Sequence, residues 1–184
     1  VLERPDDTLA KHLGVRDELF LNLGNKHFRE VGRQVGLDPK PYDHSLGAVF
    51  TDANGDGRPD LYVANDEDPN RLYLTRPSGG PLGFQLVEQG SNDGVADPNA
   101  GMGVAPADYS GDGRTDLFVS NSRGQTHAVY RAGLRGFTDT RQSFVPAFGR
   151  NLTGWGDSWV DLNNDGHLDL VLANGEIPVK NLAR

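Results

Sequence analysis

One pattern of nineteen residues occurs three times in this chain without a gap, and it limits the possible folds more than any other feature. The copies run from Gly47 to Asn65, Gly103 to Asn121 and Gly156 to Asn174, each centred on Asp-x-(Asn/Ser)-x-Asp-Gly-x-x-Asp. Their first aspartates, Asp52, Asp108 and Asp161, stand 56 and then 53 residues apart. In every copy a Gly lies five residues before that Asp and an Asn thirteen residues after it. Offsets kept this way mark a repeat architecture, in which each unit buries its apolar surface against its neighbours.

Each copy reads as a short β-rich run, a nine-residue acidic loop and a second run such as Leu61-Tyr62-Val63 or Leu117-Phe118-Val119, which is a hairpin pattern. Two more strands follow the first loop, Arg71 to Leu74 and Phe84 to Glu88, parted by the turn-rich Pro77 to Pro81. Two follow the second, His127 to Tyr130 and Phe137 to Asp139, parted by Gly133 and Gly136. A repeat of about 55 residues with four short strands predicts an all-β fold of β-propeller blades.

The ends carry complementary pieces. Glu18 to Leu21 and Phe28 to Val31, parted by Gly24-Asn25, predict the outer two strands of a blade, while the third acidic hairpin reaches Arg184 without outer strands of its own. The expected organisation is an N-terminal extension over 1–16 with helical turns at Asp6 to Leu13, then propeller repeats over 17–184. Within these, a half-blade covers 17–31, blades cover 47–88 and 102–139, and a half-blade covers 154–184, with Gly-, Asn-, Pro- and Ser-rich connections between blades at 90–101 and 142–154. That amounts to about three four-stranded blades, and propellers close with about four to eight. The expectation is therefore an arc, or part of a larger propeller, completed by another copy, another chain or sequence removed from this one. The first residue is Val1 rather than Met, which also suggests a processed or excised piece.

Composition narrows the chemistry. Gly and Pro make up 35 of 184 residues, which fits many turns and few long helices. The net charge of −8 disfavours nucleic acid and anionic membranes, both of which need a basic patch. No run approaches the ~20 apolar residues of a membrane helix, and no start resembles a signal peptide. With Cys 0 there is no disulfide framework and no thiolate ligand or nucleophile. Asp occurs 20 times against 6 Glu, and Asp favours turns and hard-cation sites over helical surfaces.

The loops place oxygen donors at positions 1, 3, 5 and 9. These are Asp52, Asn54, Asp56 and Asp60; then Asp108, Ser110, Asp112 and Asp116; then Asp161, Asn163, Asp165 and Asp169. The carbonyl at position 7, from Arg58, Arg114 or His167, would add another. Calcium takes about six to eight oxygens in flexible geometry, whereas magnesium demands a near-ideal octahedron, so about three structural Ca2+ ions are expected. Three carboxylates crowded in each loop repel one another unless a cation offsets them. An EF-hand is excluded at position 12, where Val63, Val119 and Leu172 replace the bidentate Glu, and by flanks that alternate like strands. Asp/Asn/Gly turns satisfied by water are the plain alternative. Ser110, the weakest donor of the set, predicts the weakest site in the second loop.

These loops and their flanks resemble FG-GAP/VCBS repeats, the calcium-bearing blades of integrin α-like propellers. Asn70-Arg71-Leu72-Tyr73, Leu19 to Asn22 with Gly24, Phe28 to Val31 and Leu172 to Gly175 are similar to the cartilage acidic protein/ASPIC–UnbV group. The resemblance covers about residues 17–175 and implies calcium ligands at Asp52, Asn54, Asp56, Asp60 and their counterparts in the next two loops. It also implies an extracytoplasmic setting. In the second blade Gln125-Thr126-His127-Ala128 departs from Pro69-Asn70-Arg71-Leu72 of the first.

Little else points to chemistry. His12, His27, His44, His127 and His167 show no paired metal spacing, and no Gly-x-Ser-x-Gly elbow is present. Trp155 and Trp159 suit inter-blade packing better than a carbohydrate platform, and Asn151-Leu152-Thr153 is a glycosylation sequon only in a secretory setting. No catalytic residue is assigned. The expected function is a non-enzymatic interaction module that binds a protein or glycan partner or joins an extracytoplasmic assembly. The alternative is a glycan-active enzyme or lectin with an axial or inter-blade pocket.

Overall fold

The computed structural model describes residues 13–176; the helical turns expected over 6–13 fall outside it apart from Leu13, as do residues 177–184 of the last half-blade. Strands β1 (Phe20–Gly24) and β2 (His27–Glu30) form a two-stranded sheet. The next four, β3 (Ser45–Thr51), β4 (Asp60–Asn65), β5 (Arg71–Pro77) and β6 (Phe84–Glu88), form a four-stranded sheet in chain order. A second such sheet comprises β7 (Gly101–Ala107), β8 (Asp116–Asn121), β9 (Ala128–Ala132) and β10 (Phe137–Asp139). The hairpin of β11 (Thr153–Val160) and β12 (Asp169–Gly175) ends the series. Every ladder is antiparallel between sequence neighbours, as in propeller blades.

Burial explains why β4 and β8 read as unbroken apolar runs: all six residues of each are buried. Successive side chains point to opposite faces of a strand, and both faces of these sheets are covered. Tyr62 and Ala64 of β4 join Leu72, Leu74, Leu117, Val119 and Tyr130 in a core between the two four-stranded sheets. Leu61 and Val63 face the other way, into a core with Val35, Leu37, Tyr73 and Leu86, against which Leu19 packs. The equivalent run on β12, Leu170-Val171-Leu172, is covered less, and Val171 is 48% exposed.

The innermost strands β3, β7 and β11 lie side by side, and the glycine five residues before each loop permits the approach. A Cβ on Gly47 would lie 2.3 Å from the Met102 carbonyl oxygen, and one on Gly103 would lie 2.9 Å from that of Trp155. Neither contact can relax without moving a backbone. Gly47→Ala is therefore expected to cost about 2 kcal/mol, read from urea unfolding. At Gly156 a Cβ would meet only Ala173 of its own hairpin, at 3.8 Å, so Gly156→Ala should change stability by less than about 0.5 kcal/mol.

One strand boundary needs correction, and the connections carry short turns. β1 starts at Phe20, opposite Glu30, rather than at Glu18. The connection over 90–101 carries a helical turn, α2 (Gly90–Asp93), and that over 142–154 carries α3 (Val145–Phe148) after a 3-10 turn at Arg141–Ser143. An earlier turn, α1 (Gly32–Val35), precedes β3. The reason for α3 is aromatic packing: Phe144 stacks on Phe148, and Phe148 meets Phe118 edge-on, each at 5.5 Å. The Gly, Pro and Ser around them hid that cover in the sequence.

Candidate metal centres in the acidic loops

Each nine-residue loop joins the first two strands of its sheet, with the chain turned by left-handed residues. The position 6 glycines, Gly57, Gly113 and Gly166, have φ of 81°, 83° and 86°, a region that only glycine occupies without cost. Position 4 is left-handed too, at Gly55, Gly111 and Asn164; Asn is the side chain that best tolerates it.

With that backbone, the side-chain oxygens fold back onto the loop amides in the same way three times. Asp52 accepts from the amides of Asp56 at 3.0 Å and Gly57 at 2.8 Å. Asp108 takes those of Asp112 and Gly113, and Asp161 those of Asp165 and Gly166. Asn54 and Asn163 also accept from the position 5 amide.

Position 9 has a role that the sequence reading missed. Asp60 is fully buried; one oxygen accepts from the amide of Ala53 at 3.0 Å and the other from Thr75 of β5 at 2.8 Å. Asp116 likewise joins the amides of Ser110 and Ala132 at 3.0 and 2.8 Å. This aspartate is thus a clasp between the loop and the third strand. Burial raises the pKa of Asp60, against the two amide bonds that favour its charged form. Asp169 keeps only the loop half of the clasp, from the amide of Leu162 at 3.0 Å.

Position 5 separates the loops. Asp56 is ion-paired with Arg58 and, at 3.1 Å, with Arg76. Asp112 is paired with Arg114 at 3.0 Å and Arg131 at 3.2 Å. In both, desolvation is the largest single influence and pushes the pKa up, but the hydrogen bonds and guanidinium charges together outweigh it and hold the group low. Asp165 accepts from the His167 amide at 2.8 Å and the Asn163 side-chain amide at 2.9 Å, and these bonds, helped by the His167 ring, lower its pKa.

All the loop donors are hard oxygens, and Ser110 Oγ is buried without a hydrogen-bond partner, so the donor chemistry fits calcium. Among the described residues, however, no three His, Cys, Asp or Glu side chains are gathered so as to share one ion. The carboxylates of one loop lie along it, engaged with amides and arginines. The asparagines thirteen residues after the first aspartate hold the following turn: Asn65 Nδ2 donates to the Pro69 carbonyl and Asn121 Nδ2 to that of Thr126, both at 2.7 Å. The second-blade departure is explained here as well, since His127 Nδ1 accepts from the Asn121 amide where Asn70 Oδ1 serves Asn65.

Two cavities lie away from the loops. One of about 280 Å³ is bounded by Leu19, Leu37, Ser45, Phe50, Leu61 and Val63. The other, about 420 Å³, is lined by Asp97, Tyr130, Asp139 and Arg141. Its charges are already paired, with Arg141 bound to Asp97 at 2.7 Å and Asp139 at 2.6 Å. Trp159 donates to the Ala105 carbonyl at 3.3 Å and stacks on Tyr109 at 5.5 Å, which makes it inter-blade packing, whereas Trp155 is 45% exposed.

A family model for the FG-GAP-like repeat matches residues 52–119 and 108–172, together more than half of the chain. Cartilage acidic protein 1 of Xenopus tropicalis is 29% identical over 164 residues, 86% of this chain and 25% of that protein. The Mus musculus and Homo sapiens proteins of the same name are 29% and 28% identical over 164 residues, again 86% of this chain. The chain thus spans about a quarter of the length of these relatives.

Proposed function

Because the chain belongs to the FG-GAP-like repeat family, we propose that it supplies calcium-stabilised β-propeller blades, about three in number, to an extracytoplasmic interaction module, without catalytic activity. The observation that carries this reading is the threefold recurrence of an all-oxygen loop on an antiparallel hairpin. Asp52, Asn54, Asp56 and Asp60, with Asp108, Ser110, Asp112 and Asp116 and with Asp161, Asn163, Asp165 and Asp169, would hold the ions, helped by the carbonyls of Arg58, Arg114 and His167. Calcium there supplies charge neutralisation and ties the loop ends together, so its binding free energy becomes stability of the hairpin.

The module acts by docking further β-structure or a protein or glycan partner. Gly156 holds the register of Gly47 and Gly103 yet meets no neighbouring sheet among the described residues, and Val160, Leu162, Leu168 and Val171 of the same hairpin are exposed. At the other end, the 280 Å³ cavity opens between β3 and the segment before β1. Both features leave faces for further β-structure, from another copy, another chain or more sequence of the same protein. No helix among the described residues is long and apolar enough to cross a membrane.

Calcium titration with thermal melting tests the metal reading. At a tenfold excess over Kd, each occupied site should add about 1.4 kcal/mol, reversed by chelator. Melting that ignores both calcium and chelator would remove the metal from this account. Sedimentation mass then separates a chain that pairs with its own copy from one that needs a different partner.

A further inference from the structure

We propose that Asn54 is a self-modification site, at which the folded first loop favours conversion of the asparagine to aspartate and isoaspartate. Such a conversion begins when the backbone nitrogen of the next residue attacks the asparagine side-chain carbonyl carbon. A Cβ on that next residue hinders the approach, and glycine has none. Two asparagines in the chain precede glycine, Asn54 and Asn174. Asn174 lies in the β11–β12 ladder opposite Gly154, where its backbone is held extended and away from the turn that ring closure needs. Asn54 and Gly55 stand exposed at loop positions 3 and 4. Gly55 is left-handed, with φ of 73°, and the space where a Cβ would lie is open.

The reacting groups are already arranged for the step. Asn54 Oδ1 accepts from the Asp56 amide at 2.9 Å, and a donor held on that oxygen stabilises the negative charge it gains as the carbonyl carbon is attacked. Among the described residues the Gly55 amide has no acceptor and Asn54 Nδ2 has no partner, so the nucleophile and the leaving group are both free. Hydroxide takes the proton of the Gly55 nitrogen, the new N–C bond closes a succinimide ring, and the Cγ–Nδ2 bond breaks as water protonates the departing ammonia. Water then opens the ring at either carbonyl. Overall, one water is consumed and one ammonia released. In the third loop Asn163 Oδ1 likewise holds the Asp165 amide, at 3.0 Å, but its Nδ2 is tied to Asp165 Oδ2 at 2.9 Å and the next residue, Asn164, carries a side chain. Conversion of Asn54 adds a negative charge to a chain already at −8. The isoaspartate product also inserts a methylene into the backbone between positions 3 and 4, which pulls Asp52 away from the Asp56 and Gly57 amides it accepts from.

Peptide mapping by mass spectrometry of the whole chain, incubated at pH 8 in chelator, tests this independently of the calcium reading. The Asn54 peptide should acquire the mass change of ammonia exchanged for water and split into two products on chromatography. In the folded chain Asn54 should convert about tenfold faster than Asn174, a difference of about 1.4 kcal/mol in barrier, and in urea the two should convert at comparable rates. Gly55→Asn reproduces what the third loop carries at a φ of 58°, so it keeps the loop and should abolish the fast conversion. An Asn54 that stays intact in the folded chain, equal rates at Asn54 and Asn174 before unfolding, or conversion of Asn54 in urea alone would each overturn the assignment.

Discussion

In metal-free buffer, Asp116→Ala is expected to lower the stability of the chain by about 3–4 kcal/mol, because it strips acceptors from two amides at once. Asp116 is fully buried, and its oxygens accept from the amides of Ser110 and Ala132, at 3.0 and 2.8 Å. An amide left inside without an acceptor loses its full desolvation cost rather than the smaller net value of a hydrogen bond. Asp116→Asn keeps one acceptor oxygen and should recover about half of the loss. Asp169→Ala breaks a single bond at a more exposed loop and should cost about 1 kcal/mol. Urea unfolding in chelator measures all three. Were position 9 purely a calcium ligand, Asp116→Ala would match the unaltered chain once calcium was gone, and the clasp would have to be abandoned.

That aspartate also shows how far the sequence could be read. The strand order and hairpins were legible because apolar runs, acidic turns and glycine offsets recur at fixed spacing, so that Leu61 to Val63 and Phe84 to Glu88 were placed on strands. What one copy of a motif cannot disclose is which atom takes which partner. The spacing that marks Asp60 as a candidate ligand does not disclose that its carboxylate also accepts from the Thr75 amide fifteen residues later. Arg76 and Arg131 were invisible for the same reason: they lie 20 and 19 residues from their carboxylates and at different strand positions. The left-handed φ at Asn164 had a signal, since Gly55 and Gly111 fill the same loop position. The turn at α3 had none beyond the spacing of Phe144 and Phe148, which stack only because a helical turn brings them together.

The second large effect concerns an aspartate outside every loop. Asp157 stands one residue after the third offset glycine, where the first two copies have Ala48 and Val104, and it faces the neighbouring sheet. Both its oxygens are buried without a hydrogen bond of good geometry, and Ser120, whose hydroxyl accepts from the Gly103 amide at 3.1 Å, lies near enough to offset part of that burial. Gly103, Ser120 and its cross-strand partner Leu172 bring no charge to it. Burial pushes its pKa up to about 6, only partly offset by the nearby Ser120. A carboxyl whose folded pKa exceeds its unfolded value of 3.8 binds its proton more tightly when folded. Its contribution to stability is complete below about pH 4 and is lost as pH rises through about 6. Asp157→Asn is therefore expected to stabilise the chain by about 2–3 kcal/mol at pH 8 and to make almost no difference at pH 4. Unfolding curves of both proteins across that range measure the gap, and a gap that stayed constant with pH would mean that the Asp157 carboxylate is not held in a dry site between β7 and β11.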